Sequence, residues 1–85
     1  MDKAILKTTF KGVNKQAALT NINSLEALFL AVQSGAMAKN DALSEAEHIT
    51  NAPLKKQTFG FAEEDVRDYL QKLYKAIQEY EPENK

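Results

Sequence analysis

Two segments of the chain, whose residue numbers differ by 48, carry the same order of apolar residues and glycine. LKTTFKGV at 6–13 corresponds to LKKQTFGF at 54–61, so Gly12 and Gly60 hold the same position. Beyond each glycine, apolar residues recur at the spacing of one helix face. The spacing is compatible with an internal repeat of 6–32 and 54–80, and equally with two unrelated amphipathic helices that share it by chance. The two faces are Ala18, Ile22, Leu25, Phe29 and Val32, and Val66, Leu70, Leu73, Ile77 and Tyr80.

The length of the chain limits how much core these faces can form. The chain has 85 residues and no cysteine. Such a chain forms one domain at most and buries only about 60% of its unfolded surface. Since disulfides and thiolate metal sites cannot stabilise it, association with a second copy is one way to complete the core. We therefore predict a single helical domain over residues 1–80, as a bundle within one chain or a homodimer.

Polar residues, glycine and proline predict where the helices begin and end. Asn14 is placed to cap the first helix, because its side chain can accept from a free amide of the first turn. This helix runs through the apolar segment 28–32, which we expect to be the most buried part of the chain, and stops at Gly35. A second helix is predicted at 37–49, before Pro53. One continuous helix through Gly35 is the alternative, but an interior glycine costs about 1 kcal/mol.

The last helix is predicted at about 62–79, with three acidic residues in its first turn that complement the helix dipole. Residues 81–85 are predicted to be a flexible tail. Segments 5–10 and 54–59 contain the Ile, Thr and Phe that strands favour, so they form either a two-stranded ribbon or extended arms. The predicted fold class is mainly α: about three helices in a small bundle or helical homodimer, with or without a short β ribbon.

Each aromatic-glycine sequence precedes a predicted helix, and two roles for it are open. In the first, glycine supplies a positive φ, and the next apolar residue packs one turn into the helix as a hydrophobic staple. This role pairs Val13 with Ala18 and Phe61 with Val66, and it places Phe10 and Phe59 in the same core. In the second, an exposed tip beside lysines contacts an anionic membrane or a partner protein. The tip would consist of Phe10, Lys11, Gly12, Phe59, Gly60 and Phe61.

The sequences FKGVNKQAALTNINSL (10–25) and FGFAEEDVRDYLQKL (59–73) resemble the N-terminal signature of the DivIVA-like bacterial cell-division and pole-marking scaffolds. That signature has an aromatic residue, Arg or Lys, Gly, and Tyr or Phe, followed by a polar run and Val-x-x-aromatic-Leu-x-x-Leu. The first sequence has the fuller entrance and the second the fuller helix. The resemblance implies helical dimers, coiled coils and, for some members, membrane attachment through the aromatic residue at the turn.

The charge of the chain argues against nucleic acid as a partner. The net charge is −1, and Arg67 is the single arginine, whereas phosphate binding and base contacts need a surplus of Lys and Arg. The longest apolar run, at 27–32, is far too short to span a bilayer, and the N-terminus lacks a signal-peptide pattern. The predicted location is the cytoplasm.

No residue pattern indicates catalysis. His48 is the single histidine, and with neighbouring Glu45 it offers only two ligands, too few to indicate a metal site. The acids at 63–65 are explained by the helix dipole, and neither a nucleophile elbow nor a phosphate-binding loop is present. We therefore predict a protein that is not an enzyme and has no metal or cofactor. Its predicted partners are a second copy or another protein, with peripheral contact to an anionic membrane as a further hypothesis.

Overall fold

The computed structural model describes residues 6–81, and its secondary structure is mainly helical. Residues 1–5, which include the start of the first predicted strand, and residues 82–85 of the predicted tail lie outside the described residues. The three helices and the two-stranded antiparallel ribbon confirm the predicted fold class. In chain order the elements are strand β1 (Thr8–Phe10), helix α1 (Lys15–Ser34), helix α2 (Lys39–Asn51), strand β2 (Phe59–Phe61) and helix α3 (Glu63–Glu79).

Local capping interactions set the start of α1 and the ends of α1 and α2 close to the predicted positions. The Asn14 side chain accepts a hydrogen bond from the amide of Ala17 at 2.9 Å. Gly35 ends α1 with a left-handed φ of 81°, so α1 and α2 are separate helices. Helix α2 ends before Ala52, whose backbone is extended because it precedes Pro53.

Helix α2 begins two residues later than predicted and packs through small side chains. The amide of Met37 donates to the carbonyl of Ala31, which closes the end of α1 before α2 starts. Ala42 and Ala46 are fully buried, and Thr50 is nearly so. Small residues on this face let α2 lie close to the pair formed by α1 and α3, since they hold the backbones apart less than large side chains do.

The apolar faces of α1 and α3 meet in the core, where eight residues of the two predicted faces are buried. Phe29, which was predicted for the same face, is only partly buried, and its ring meets the ring of Tyr80 edge to face at 5.8 Å between centroids. Both faces are thus covered within a single chain. The eight buried residues are Ala18, Ile22, Leu25, Val32, Val66, Leu70, Leu73 and Ile77.

The expectation that 28–32 is the most buried part of the chain is wrong. Val32 is buried, but Leu28 and Phe29 are only partly buried, and Leu30 is 63% exposed. Consecutive apolar residues on a helix point in all directions, whereas α2 and α3 cover only part of α1. Some of this segment therefore faces solvent.

The second strand of the ribbon lies later in the sequence than predicted. Strand β1 pairs with β2 through Thr8–Phe61, Thr9–Gly60 and Phe10–Phe59. The predicted second strand, 54–59, contributes only Phe59 to β2, together with an isolated bridge between Lys56 and Val13. The observed register brings Gly60 to the point where the two segments approach most closely.

The pairing in the ribbon is symmetric with respect to the 48-residue correspondence. When each residue is exchanged with its counterpart, the pair Thr8–Phe61 becomes Val13–Lys56, and both pairs are present. Val13 and Phe61 are counterparts of each other, and each donates its amide to the other's carbonyl, at 2.7 and 3.0 Å. Reciprocal contacts between counterparts are the signature of a two-fold relation, here between two segments of one chain.

The same relation holds where the helices begin. The amide of Asn14 donates to the carbonyl of Lys55, and the amide of Ala62 donates to the carbonyl of Lys7, each at 2.7 Å. Asn14 and Ala62 are counterparts, and each is the residue immediately before its helix. The start of each helix is therefore held by the segment that precedes the other helix.

The two entrance glycines do not have the positive φ expected of them. Among the described residues, positive φ occurs only at Gly35 and Lys11. Gly12 and Gly60 are needed instead because the two backbones cross there. A Cβ on Gly12 would lie 2.5 Å from the carbonyl oxygen of Gly60, and one on Gly60 would collide with the carbonyl oxygen of Val13. No side chain fits at either position.

Replacing Gly60 with Ala is expected to lower the free energy of unfolding by about 3 kcal/mol or more, because the added methyl meets backbone that cannot move aside. Gly35→Ala is the matched control: it has a positive φ but open space around it, so its cost is about 1–2 kcal/mol. Urea denaturation of both variants measures the difference. Equal costs would show that the crossing can open to admit a side chain.

Thr50→Val is expected to raise the free energy of unfolding by about 1 kcal/mol. The Thr50 hydroxyl is buried and has no hydrogen-bond partner among the described residues, so its removal eliminates a desolvation cost while the side-chain volume is kept. Thr50→Ser, which keeps the hydroxyl and loses the methyl, is expected to lower stability. Urea midpoints of both variants test this pair, and a less stable valine variant would contradict the interpretation.

Candidate functional site

The last residue pair of the β1–β2 ribbon consists of two exposed phenylalanines, one from each strand. Phe10 and Phe59 lie opposite each other in the antiparallel register, and each is 61% exposed. Their rings meet edge to face with centroids 5.7 Å apart, which is a favourable aromatic geometry. We name the surface formed by these two residues with Lys11 and Thr58 the ribbon tip.

Lys11 turns the chain at the ribbon tip. Its φ of 58° lies in the left-handed region that non-glycine residues rarely occupy. Its amide donates to the carbonyl of Thr58 at 2.6 Å. Its ammonium nitrogen lies 5.6 Å from the centroid of the Phe10 ring, within the range of a cation–π interaction. The ribbon tip therefore combines a positive charge with exposed aromatic surface.

Three of the six residues predicted for an exposed tip lie elsewhere. Gly12 and Gly60 are buried at the backbone crossing. Phe61 is half-buried and packs against the core, with the ammonium of Lys15 5.3 Å from its ring centroid. These three residues support the ribbon instead of forming its contact surface.

The two roles considered for the aromatic-glycine sequences apply to different residues. Val13 is fully buried in the same core cluster as Ala18, and Phe61 packs against that cluster, as a hydrophobic staple requires. Phe10 and Phe59, however, are not drawn into the core as the staple interpretation expected. They are exposed at the ribbon instead.

The ribbon and its flanks carry positive charge. Residues 6–15 and 54–62 contain no acidic residue. The nearest acids in the sequence begin at Glu63, in the first turn of α3. The ribbon tip is therefore flanked by ammonium groups alone along both segments, namely those of Lys7, Lys11, Lys15, Lys55 and Lys56.

The acids of α3 anchor the base of the ribbon. Glu63 accepts from the ammonium of Lys56 at 2.6 Å and from Nε of Arg67 at 3.2 Å. The hydrogen bond from Lys56, and then that from Arg67, holds the pKa of the Glu63 carboxyl below its ordinary value. Asp65 accepts from the backbone amide of Lys7 at 3.0 Å. The carboxylates of Glu63 and Asp65 are therefore already engaged in hydrogen bonds within the chain.

Helix α2 offers no comparable arrangement. His48 is exposed and borders an open surface depression with Glu47 and Asn51. Across residues 6–81, no group of three potential metal-ligating side chains comes together.

Comparisons with models of protein families, with curated proteins and with solved structures find no match to this chain. None of the helices within the described part of the chain has the length and apolar character needed to cross a lipid bilayer. The ribbon tip is the described surface at which exposed aromatic rings and lysines come together.

Glu63→Gln is expected to lower stability at neutral pH in a pH-dependent way. The folded-state pKa of Glu63 lies below its ordinary value of 4.5. The ionised carboxylate therefore stabilises the fold above the unfolded-state pKa, and this contribution is lost as the pH falls through the folded-state pKa. The gap between the urea midpoints of wild type and variant should narrow from neutral pH to about pH 3.

Glu64→Gln is the matched control for this experiment, because Glu64 is an exposed neighbour in the same helical turn. Its gap to wild type should be smaller at neutral pH. A Glu63→Gln gap that stays constant with pH would contradict a contribution from the ion pairs with Lys56 and Arg67.

Proposed function

We propose that the chain is a non-catalytic interaction module, a small cytoplasmic scaffold of the DivIVA-like type, and that its ribbon tip docks on an anionic membrane surface. The observation that carries the proposal is the exposure of Phe10 and Phe59 side by side with Lys11 next to them. Exposure of apolar rings to water costs free energy, and this cost is relieved when the rings enter the boundary between lipid headgroups and acyl chains.

The backbone that carries the two phenylalanine rings is held by hydrogen bonds, and this favours docking. The antiparallel register and the bond from the Lys11 amide to Thr58 hold the backbone of the ribbon tip. The side-chain amide of Gln57 donates to the carbonyl of Phe59. Since the backbone that carries the rings is already ordered, little conformational entropy is lost when the tip meets a surface.

The lysines supply the attraction to anionic lipid. Each lysine near such a surface contributes about 1 kcal/mol, and the effect falls off within a Debye length. Among the described residues, the ribbon lysine engaged in a side-chain ion pair is Lys56, which binds Glu63. The ammonium groups of Lys11 and Lys55 are therefore available to lipid phosphates.

The resemblance to DivIVA-like scaffolds supports the same proposal. It implies membrane attachment through the aromatic residue at the turn, and Phe10 stands at that position, followed by Lys11 and Gly12. The second sequence adds Phe59 at the position of the basic residue, so this ribbon tip exchanges one positive charge for a second ring.

The wild-type protein is expected to co-sediment with vesicles that contain phosphatidylglycerol and to bind pure phosphatidylcholine vesicles weakly. Phe10→Ser combined with Phe59→Ser should reduce the partition coefficient about tenfold or more, because the rings no longer enter the interface. Phe10→Leu combined with Phe59→Leu should retain most of the binding. Both rings are exposed, so the circular dichroism spectrum should change little, and the urea midpoint should fall only by the small amount that the lost edge-to-face contact contributes.

A pair of lysine variants provides the charge control. Lys11→Gln should weaken binding about fivefold at low salt, whereas Lys75→Gln, on the exposed face of α3, should have little effect. If wild type fails to bind anionic vesicles, the membrane proposal is wrong, and a partner protein becomes the occupant to seek at the ribbon tip. Binding that is insensitive to all tip substitutions would assign it to another surface.

A further inference from the structure

The solvent face of α1 differs in composition from those of α2 and α3. The segment 16–38 contains one charged residue, Glu26. Two leucines of this face are exposed, Leu19 at 44% and Leu30 at 63%. By contrast, every exposed position of the other two helices is polar or charged: Asn40, Asp41, Ser44, Glu45, Glu47, His48 and Asn51 on α2, and Glu64, Arg67, Asp68, Gln71, Lys72, Lys75, Gln78 and Glu79 on α3.

One exposed stripe of α1 reads nearly the same in both directions. Its members follow one another at alternating steps of three and four residues, which keeps them on one side of the helix. About the midpoint between Ser24 and Leu25, glutamine corresponds to glutamine, leucine to leucine, and asparagine to glutamate. We name this set the outer stripe, and it consists of Gln16, Leu19, Asn23, Glu26, Leu30 and Gln33.

We infer that the outer stripe binds the outer stripe of a second copy of this chain, with the two α1 helices antiparallel. In this arrangement Leu19 packs on the partner's Leu30. The Asn23 amide donates to the carboxylate of the partner's Glu26. A two-fold axis through the midpoint of α1 makes each of these contacts twice, which is the property of an isologous interface.

The chemistry of the stripe favours a second copy over an unrelated protein. A surface that pairs with itself must be self-complementary, and a reversible residue order provides this for two antiparallel helices. It must also avoid placing like charges opposite each other. Here Glu26 lies opposite Asn23, an amide that can donate to a carboxylate. An unrelated partner imposes no such order on the sequence.

This inference uses no residue of the ribbon tip and does not depend on the proposed membrane function. Leu30→Glu leaves the tip unchanged, and the Phe10→Ser and Phe59→Ser double variant leaves the outer stripe unchanged. Solution mass and vesicle binding are thus separate readouts, and either inference can fail while the other holds.

The first test is light scattering on a sizing column over a dilution series from about 1 mM to about 1 µM, the range in which the dissociation constants of weak to moderate complexes fall. Wild type should change from dimer to monomer within this range. Leu30→Glu should weaken dimerisation about tenfold or more, because it brings a charge into an apolar contact. Gln71→Glu, which adds the same charge to the exposed face of α3, should not weaken it.

Two outcomes of the dilution series would overturn the inference. One is a mass that stays at the monomer value throughout. The other is a dimer that the Leu30→Glu variant retains and the ribbon-tip double variant loses. The circular dichroism spectrum should be unchanged in every variant, since the substituted side chains are exposed in the single chain.

The second test is disulfide trapping, which the absence of native cysteine makes clean. In the antiparallel arrangement, Leu19→Cys on one chain lies beside Leu30→Cys on the other. Two copies of Leu30→Cys instead lie about 16 Å apart along the axes at the helical rise per residue, far beyond the Cα separation that a disulfide tolerates. A mixture of the two variants, one carrying a mass tag, should therefore cross-link chiefly as the mixed dimer.

Cross-linking of Leu30→Cys with itself as fast as with Leu19→Cys would overturn the antiparallel arrangement. Leu30→Cys mixed with Gln71→Cys is the background control, because Gln71 is exposed on α3 and outside the stripe. A mixed product with Leu19→Cys that does not exceed this background would also overturn the inference.

Discussion

The crossing of two backbone segments at their glycines is the contact on which the rest of the structure depends. No side chain separates Gly12 from Gly60, so Val13 and Phe61 can exchange hydrogen bonds directly. The same approach places the amides that precede α1 and α3 within reach of carbonyls on the opposite segment. Helices α1 and α3 therefore start side by side, and their apolar faces meet although α2 lies between them in the sequence.

Much of this arrangement could be predicted because it depends on local chemistry. The apolar spacing identified the buried face of α3 completely, and Asn14, Gly35 and Pro53 marked helix ends through effects that operate within a few residues. The 48-residue correspondence pairs residues such as Val13 with Phe61 and Asn14 with Ala62, and these counterparts make equivalent backbone hydrogen bonds. What it lacked was the direction of pairing. It also lacked the register, and the observed register is what sets Phe10 opposite Phe59.

The features that could not be predicted depend on which side of an element its neighbours cover. Phenylalanine beside glycine is compatible with both a buried staple and an exposed tip, and only the register separates Phe61 from Phe59. From the sequence alone, Gly12 and Gly60 indicate a positive φ, whereas the close approach of a distant backbone segment is what requires them. Segment 28–32 was expected to be buried from its composition, but composition does not specify how many helices pack around it.

The ribbon also affects how the chain reaches this fold. Its partners Thr8 and Phe61 are far apart in the sequence, with two complete helices between them. Each helix can form from local contacts within about a microsecond, but joining ends so far apart requires closure of a long loop at an entropic cost that these local contacts do not repay. We expect the chain to fold more slowly than its helical content suggests, with the rate set by its two shortest elements.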